Sequence, residues 1–330
     1  VKVTVIGGSG FIGTRLVSRL RGTPGMEVLI VDKAQSAYHP EIVQLADVRD
    51  RDALAQSVPY GSVIINLAAE HKDNVRPQSL YREVNVLGAS NICSVAAEKG
   101  VRTIVFTSSV AVYGFAPVGT NESGVISPFN EYGRSKHEAE QVFRAWQAEL
   151  PLVRSLVILR PTVVFGERNR GNVYNLFSQI WSRRFAMIGN GQNRKSMVYV
   201  ENVAAFIEFS ARFPAGVHVH NIVDKPDFTM NRLVSIVNRR LGRGGKTGLR
   251  LPYSIGYLIG KAFDGLSILT GRTFAISSIR VKKFCSDSMF GTSLGGTGFV
   301  PPVSLEKAIE STIKYEFLES HEKEEVFYTE

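Results

Sequence analysis

The chain opens with a short β-branched run, Val1 to Ile6, that leads straight into Gly7-Gly8-Ser9-Gly10-Phe11-Ile12-Gly13, and a helical stretch from Phe11 to Arg21 follows. The turn satisfies both G-x-x-G-x-x-G and G-x-G-x-x-G. Glycines at this spacing permit a tight turn and let the backbone approach a diphosphate at the helix N-terminus. A glycine pattern by itself describes many loops. A strand before it and a helix after it restrict the chain to a βαβ start with a dinucleotide at the turn. Asp32 ends the next apolar run, 19 residues beyond Gly13, where an acid binds an adenosine ribose. The acid repels a 2′-phosphate and so favours NAD over NADP; Lys33 beside it weakens that preference. Asp47-Val48, closing a third short strand, is either a frame for the adenine or an ordinary strand-end acid.

Further apolar runs follow at Val63 to Leu67, Thr103 to Phe106 and Leu156 to Leu159. Such near-continuous runs suit strands buried on both faces. Helical patterns lie between them, as at Ser79 to Lys99 and Tyr132 to Leu150. The alternation implies right-handed crossovers and an α/β fold, a doubly wound parallel sheet. Beyond Arg160-Pro161 the pattern loosens. Glu167 to Asn172 reads as a polar loop, Gly189-Asn190-Gly191 as a turn, and Val217 to Val223 as one more sheet strand. The expected organisation is a dinucleotide-binding domain over 1–164 with a returning strand near 217–230. A smaller, discontinuous C-terminal substrate domain takes most of 165–330.

The 330 residues carry a formal charge of +9, which nucleic acid, an anionic membrane or an anionic small substrate could each explain. The excess is local: Leu249 to Lys283 holds six basic residues against Asp264 alone. Arg239-Arg240 and Arg243 lack interleaved aromatics, so a nucleic-acid partner is not expected. Within Leu251 to Phe274, Ile255, Leu258, Ile259, Ala262, Phe263, Leu266 and Leu269 recur at helical spacing beside Lys261 and Arg272. That face either lies in a membrane interface or packs on the domain core. Gly256, Gly260, Gly265 and Gly271 oppose one long helix and favour a broken pair. Cys93 and Cys285 are too few and too distant for a disulfide framework, which suits a reducing cytoplasm. His218 and His220 share a strand face without a third ligand, so no metal site is expected.

Tyr132 and Lys136 stand four apart and share one face of a helix. An ammonium near a phenol favours phenolate and makes tyrosine usable as a base near neutral pH. Upstream, Ser108-Ser109 ends a strand at the cofactor side, before Val112-Tyr113-Gly114.

The glycine loop, Asn66-Leu67-Ala68-Ala69, Ser108-Ser109, Tyr132-x-x-x-Lys136 and Arg160-Pro161 together resemble the extended short-chain dehydrogenase/reductases, the NAD-dependent epimerase/dehydratase family. The resemblance implies a Rossmann-type fold, NAD, and catalysis by Tyr132 and Lys136 with Ser109, or failing it Ser108. It places Gly7, Gly10, Phe11, Ile12, Gly13, Asp32, Lys33, Asp47, Val48, Leu67, Ala68, Ala69, His71, Asn85, Tyr132, Lys136 and Pro161 at the cofactor. Asn175, Lys195 and Arg280 fall where the family holds a diphosphate; the family commonly has arginine in place of Lys195. Dehydratases of the family carry an Asp-Glu pair where this chain has Val110-Ala111, so elimination of water is not expected. Longer stretches, among them Ala69 to Asp73, Arg160 to Asn175 and Arg280 to Cys285, resemble the 4-epimerases of O-antigen assembly. These act on N-acetylglucosamine carried on undecaprenyl diphosphate. The alternatives are a UDP-N-acetylglucosamine or UDP-glucose 4-epimerase and a 4-keto-sugar reductase. A homodimer and a cytoplasmic place, with peripheral contact at the inner face of the membrane, are also implied.

Overall fold

The computed structural model describes residues 1–72, 75–270, 277–321 and 324–329. Asp73, Arg272, Phe274 and Gly271, which figure in the sequence expectations, lie outside these residues. Seven parallel strands form the main sheet: β1 (Lys2–Ile6), β2 (Glu27–Asp32), β3 (Val43–Leu45), β4 (Val63–Asn66), β5 (Thr103–Thr107), β6 (Ser155–Pro161) and, later in the chain, β10 (Gly216–Ile222). Their order is β10-β6-β5-β4-β1-β2-β3, so the winding reverses between β1 and β4. In open parallel sheets, ligands bind beyond the strand ends at such a reversal.

Helices cover both faces. On one side α2 (Arg51–Ser57), α4 (Gly88–Glu98) and α5 (Glu131–Glu149) bury Leu54, Ile92, Val95, Ala139, Phe143 and Trp146 against the sheet. Helix α3 (Ser79–Tyr81) leads into α4 through a π-helical turn over Arg82–Leu87. On the other side α1 (Phe11–Arg21) and α7 (Val200–Ser210) contribute Leu16, Val17, Leu20, Val203, Phe206 and Ile207. Helix α7 thus packs on the sheet ahead of β10, which supplies the later strand.

A separate apolar cluster holds the remainder. It gathers β7 (Val163–Phe165), α6 (Asn172–Trp181), β8 (Met187–Ile188), β9 (Met197–Tyr199), α8 (Met230–Arg240) and α11 (Leu305–Leu318) around Phe165, Phe177, Met197, Leu233, Val237 and Ile309. The short β11 (Arg250–Leu251) pairs with β8 and precedes α9 (Tyr253–Thr270) and α10 (Ser278–Cys285).

Helix α9 corrects the expected broken pair, for over its described length it is continuous. The reason is close packing. A Cβ at Gly256 would meet Ile188 Cγ2 at 2.6 Å, and one at Gly260 would meet the Ser278 backbone at 2.7 Å. The glycines let the helix lie directly on β8 and α10, and that packing overrides their poor helix propensity. The consequence is an inverted amphipathic helix. Gly256 and Gly260 are buried, while Ile255, Ile259 and Leu266 are exposed and Leu258 and Leu269 are 71% and 84% exposed. Among the described residues no helix is long and apolar enough to cross a membrane.

Candidate active site

Beyond the carboxyl ends of β1, β4 and β5 lies a cleft of about 810 Å³, in the range of cofactor sites. Gly7, at φ +80°, makes the first turn; a Cβ there would meet Ala68 N at 2.5 Å, so the glycine lets the loops after β1 and β4 touch. Helix α1 begins at Gly10 without a side-chain cap and with no acid in its first turn, which leaves its backbone donors and positive end for an anion. Asp32 accepts Ser9 N–H at one oxygen and Ala34 N–H at the other, both at 3.0 Å. The carboxylate is thereby oriented and keeps accepting capacity for a ribose diol. Asp47 is gripped by Arg49 through Nε at 3.0 Å and Nη2 at 2.7 Å, which holds its carboxyl below the usual range. Thr107 Oγ1, at the end of β5, lines the cleft buried and without a partner. An uncapped helix, an oriented acid and a waiting hydroxyl fit a dinucleotide.

The cleft also reaches Ser108, Ser109, Tyr132 and Lys136. Asn130 caps α5 by accepting Gly133 N–H at 2.9 Å, which sets Tyr132 in the first turn. A Cβ at Gly133 would meet Ala111 O at 2.5 Å, so this glycine brings the tyrosine helix onto the serine turn. Lys136 is 2% exposed, with its Nζ 4.6 Å from the Phe106 ring centroid. Burial lowers its pKa to about 7, against the pull of the Glu140 carboxylate. The two serines differ. Ser109 accepts Ala111 N–H at 3.1 Å and keeps its hydroxyl proton for a ligand oxygen. Ser108 donates to Glu140 Oε1 at 2.6 Å and is committed to the interior.

Behind the site runs a buried polar chain. Glu140, 0% exposed, takes Arg160 Nε at 2.9 Å and Nη2 at 2.6 Å. Arg160 Nη1 donates to Tyr113 Oη at 2.8 Å, and Tyr113 donates to Asn221 Oδ1 at 2.9 Å. Asn221 N–H reaches Glu122 at 2.8 Å, its carbonyl accepts Thr292 Oγ1 at 2.6 Å, and its Nδ2 donates to Gly291 O at 3.0 Å.

Of the residues expected at the cofactor, Gly7, Gly10, Phe11, Ile12, Gly13, Asp32, Lys33, Asp47, Val48, Leu67, Ala68, Ala69, His71, Tyr132, Lys136 and Pro161 line this cleft. Asn85 stands behind the wall. Its amide exchanges bonds with both backbone groups of Glu70, at 2.8 and 3.0 Å, and donates to Ser135 Oγ at 2.9 Å, tying the loop after β4 to α5. Asn175, Lys195 and Arg280 are not among the lining residues. Asn175 is exposed on α6; Lys195 donates to Lys283 O at 2.7 Å at the end of α10, the helix whose first turn holds Arg280. His218 bonds Pro214 O and His220 bonds Ser293 Oγ. Sequence reasoning missed Gln35, Thr162, Asn169 and the whole segment Glu325–Thr329, all of which line the cleft.

A model of the NAD dependent epimerase/dehydratase family matches residues 3–223. The chain is 46% identical, over 99% of both chains, to the N-acetyl-alpha-D-glucosaminyl-diphospho-ditrans,octacis-undecaprenol 4-epimerase of Escherichia coli O157:H7. Its fold is similar to UDP-N-acetylglucosamine 4-epimerase from Bacillus cereus, with TM-score 0.73, 17% identity and coverage of 94% of this chain and 98% of that one. It is also similar to UDP-glucose 4-epimerase from Thermus thermophilus in complex with NAD, with TM-score 0.70, 21% identity and coverage of 96% and 98%.

Proposed function

The chain belongs to the NAD dependent epimerase/dehydratase family, and from that premise we propose that it inverts C4 of N-acetylglucosamine carried on undecaprenyl diphosphate, giving the N-acetylgalactosaminyl form through a transient 4-keto sugar. The observation that carries the lipid-linked reading is the full-length likeness to the Escherichia coli O157:H7 enzyme.

Gly7 to Gly13 would hold the diphosphate of NAD and Asp32 its adenosine ribose. Bound NAD supplies the acceptor, and then the donor, of the C4 hydride. Tyr132 takes the proton of the sugar 4-hydroxyl and returns it when the opposite face has been reduced. Lys136, while charged, favours the phenolate that does so. Ser109 donates to the 4-oxygen and fixes its place. Val110 and Ala111 carry no proton-transfer group, so the keto sugar is not drawn into loss of water. The keto sugar turns over within the cleft, so the same Tyr132 serves both faces.

The diphosphate is common to lipid-linked and UDP-linked sugars, so a UDP-sugar 4-epimerase is the second reading, supported by the fold likeness. The exposed apolar face of α9 favours the first. Leu258, Leu269 and Ile255 point outward beside Lys261, with Arg280, Lys282 and Lys283 on the adjoining α10. An apolar face with basic neighbours suits an anionic membrane surface, where a polyprenyl substrate resides. The resemblance also implies a homodimer, which sedimentation reads directly.

The deciding experiment gives the purified protein UDP-N-acetylglucosamine and N-acetylglucosaminyl-diphospho-undecaprenol in parallel and identifies the configuration at C4. Conversion of the lipid-linked sugar is expected. Conversion of the UDP-sugar alone overturns the lipid-linked reading, and steady consumption of added NADH overturns epimerisation itself.

A further inference from the structure

The segment Glu325–Thr329 belongs to no motif, helix or strand of the main sheet, yet it forms one wall of the cofactor cleft. Phe327 is its anchor. Its N–H donates to Arg168 O and its carbonyl accepts Arg170 N–H, both at 2.8 Å, a strand-like bridge onto the loop after β7. Its ring centroid lies 6.0 Å from that of Phe11 and 6.4 Å from that of Tyr38. Phe11 opens α1, where the diphosphate is expected, and Tyr38 belongs to the loop that follows Asp32 on the adenosine side. Phe327 thus bridges the two sides of the dinucleotide site.

The flanking residues repeat the arrangement. Tyr38 Oη donates to Glu325 O at 3.2 Å, and Thr329 Oγ1 donates to Asn169 Oδ1 at 2.8 Å. The receiving loop is shaped for this. Glu167, Arg168 and Asn169 are buried although polar, and Arg168 sits at φ +71°, a left-handed backbone disfavoured for arginine. Its guanidinium lies 4.2 Å from the Tyr38 ring centroid, closing the frame.

We infer that Glu325–Thr329 is a cofactor-retaining latch, anchored by Phe327, that slows release of the dinucleotide. A wall held by a few hydrogen bonds and one ring can lift without disturbing the sheet. The inference rests on the epimerase reading, because an epimerase ends each turnover with its cofactor in the starting oxidation state and never needs to exchange it.

The test measures the NAD content of the dialysed full-length protein and the NAD dissociation rate, with the melting temperature of the cofactor-free protein in parallel. Phe327→Ala removes both ring contacts and is expected to raise the dissociation rate about tenfold. Phe327 is half-buried against the apolar cluster that includes Phe11, so its loss should lower the melting temperature of the cofactor-free protein by about 3 °C. Tyr38→Phe removes only the hydroxyl that holds Glu325, leaves the ring in place, and is expected to raise the rate about threefold. It keeps the inference testable if Phe327→Ala fails to fold. NAD bound by the wild type and released at unchanged rates from the variants overturns the latch and leaves the epimerase reading intact. A wild type that binds no NAD overturns the cofactor reading, and the latch with it.

Discussion

Replacing Glu140 by glutamine keeps the size of the side chain and removes its charge. In the wild type that charge is fully buried and gripped by Arg160, itself 4% exposed. Breaking such a pair from one side costs about 3–5 kcal/mol, and the remaining carbonyl, which still accepts, keeps the loss near the lower figure. For a chain of 330 residues the unfolding entropy is about 0.7 kcal/mol/K, so the melting temperature should fall by about 4–5 °C. The second effect is catalytic. Burial brings Lys136 down to about 7, and Glu140 opposes that fall. One helical turn separates them, about 6 Å, where a unit charge contributes about 2–3 kcal/mol at an effective dielectric of 20. Arg160 offsets part of this, which leaves roughly one pH unit. Glu140→Gln should therefore reduce the ammonium fraction at neutral pH and move the alkaline limb of the pH–rate profile down by that unit. Initial rates of C4 inversion from pH 6 to 9, with calorimetry alongside, read both effects. A variant that melts within a degree of wild type with an unmoved alkaline limb refutes the reasoning. The pair Glu140→Leu with Arg160→Met separates them: stability near wild type, activity still low.

Three further outcomes are expected. Tyr132→Phe should lower turnover by about 10²–10⁴-fold while NAD stays bound, measured by epimerisation rate and cofactor content; wild-type turnover would end the proposed mechanism. Lys136→Met should abolish activity and stabilise the cofactor-free protein. The folded pKa of about 7 lies below the ordinary 10.5, so between those values the native state holds fewer protons than the unfolded one, and stability owed to this residue rises with pH. The gain from methionine is thus largest below about pH 7 and shrinks toward pH 10; equal gains in thermal melts at pH 6.5 and 9.5 would contradict this. Leu258→Glu with Leu269→Glu should leave the melting temperature within about 1 °C, since both side chains are exposed. The same double variant should weaken binding to anionic vesicles by about tenfold or more, and unchanged sedimentation with vesicles would remove α9 from the membrane reading.

The strands of the sheet were legible because strands covered on both faces read as unbroken apolar runs. The glycine loop and the Tyr132–Lys136 pair were legible because turn geometry and helical spacing are local. What the sequence hid depends on distant partners. The continuity of α9 needs Ile188 and Ser278 beside its glycines, and propensity alone argued the other way. The family resemblance places Asn85 near the cofactor; only the fold reveals that Glu70 and Ser135 occupy its amide. The motif ranks Ser109 ahead of Ser108 by spacing alone, and the buried Glu140, which takes the Ser108 hydroxyl, supplies the physical difference between them. Glu325–Thr329 carries no periodicity, and its partners Tyr38 and Asn169 lie more than a hundred residues away.

Asn221 has a bearing on how copies of this molecule behave toward one another. It lies on β10, the outermost strand on one side of the sheet, opposite Arg160 of β6. An outermost strand offers unpaired backbone groups to any passing strand and so invites stacking of sheets between molecules. Here the pair that Asn221 turns away from β6 is spoken for: Glu122 takes the N–H and Thr292 fills the carbonyl. The opposite border, β3, is only three residues long. Side chains interrupting one rim at Asn221 and brevity at the other shorten the template that either border offers to a strand of a second molecule.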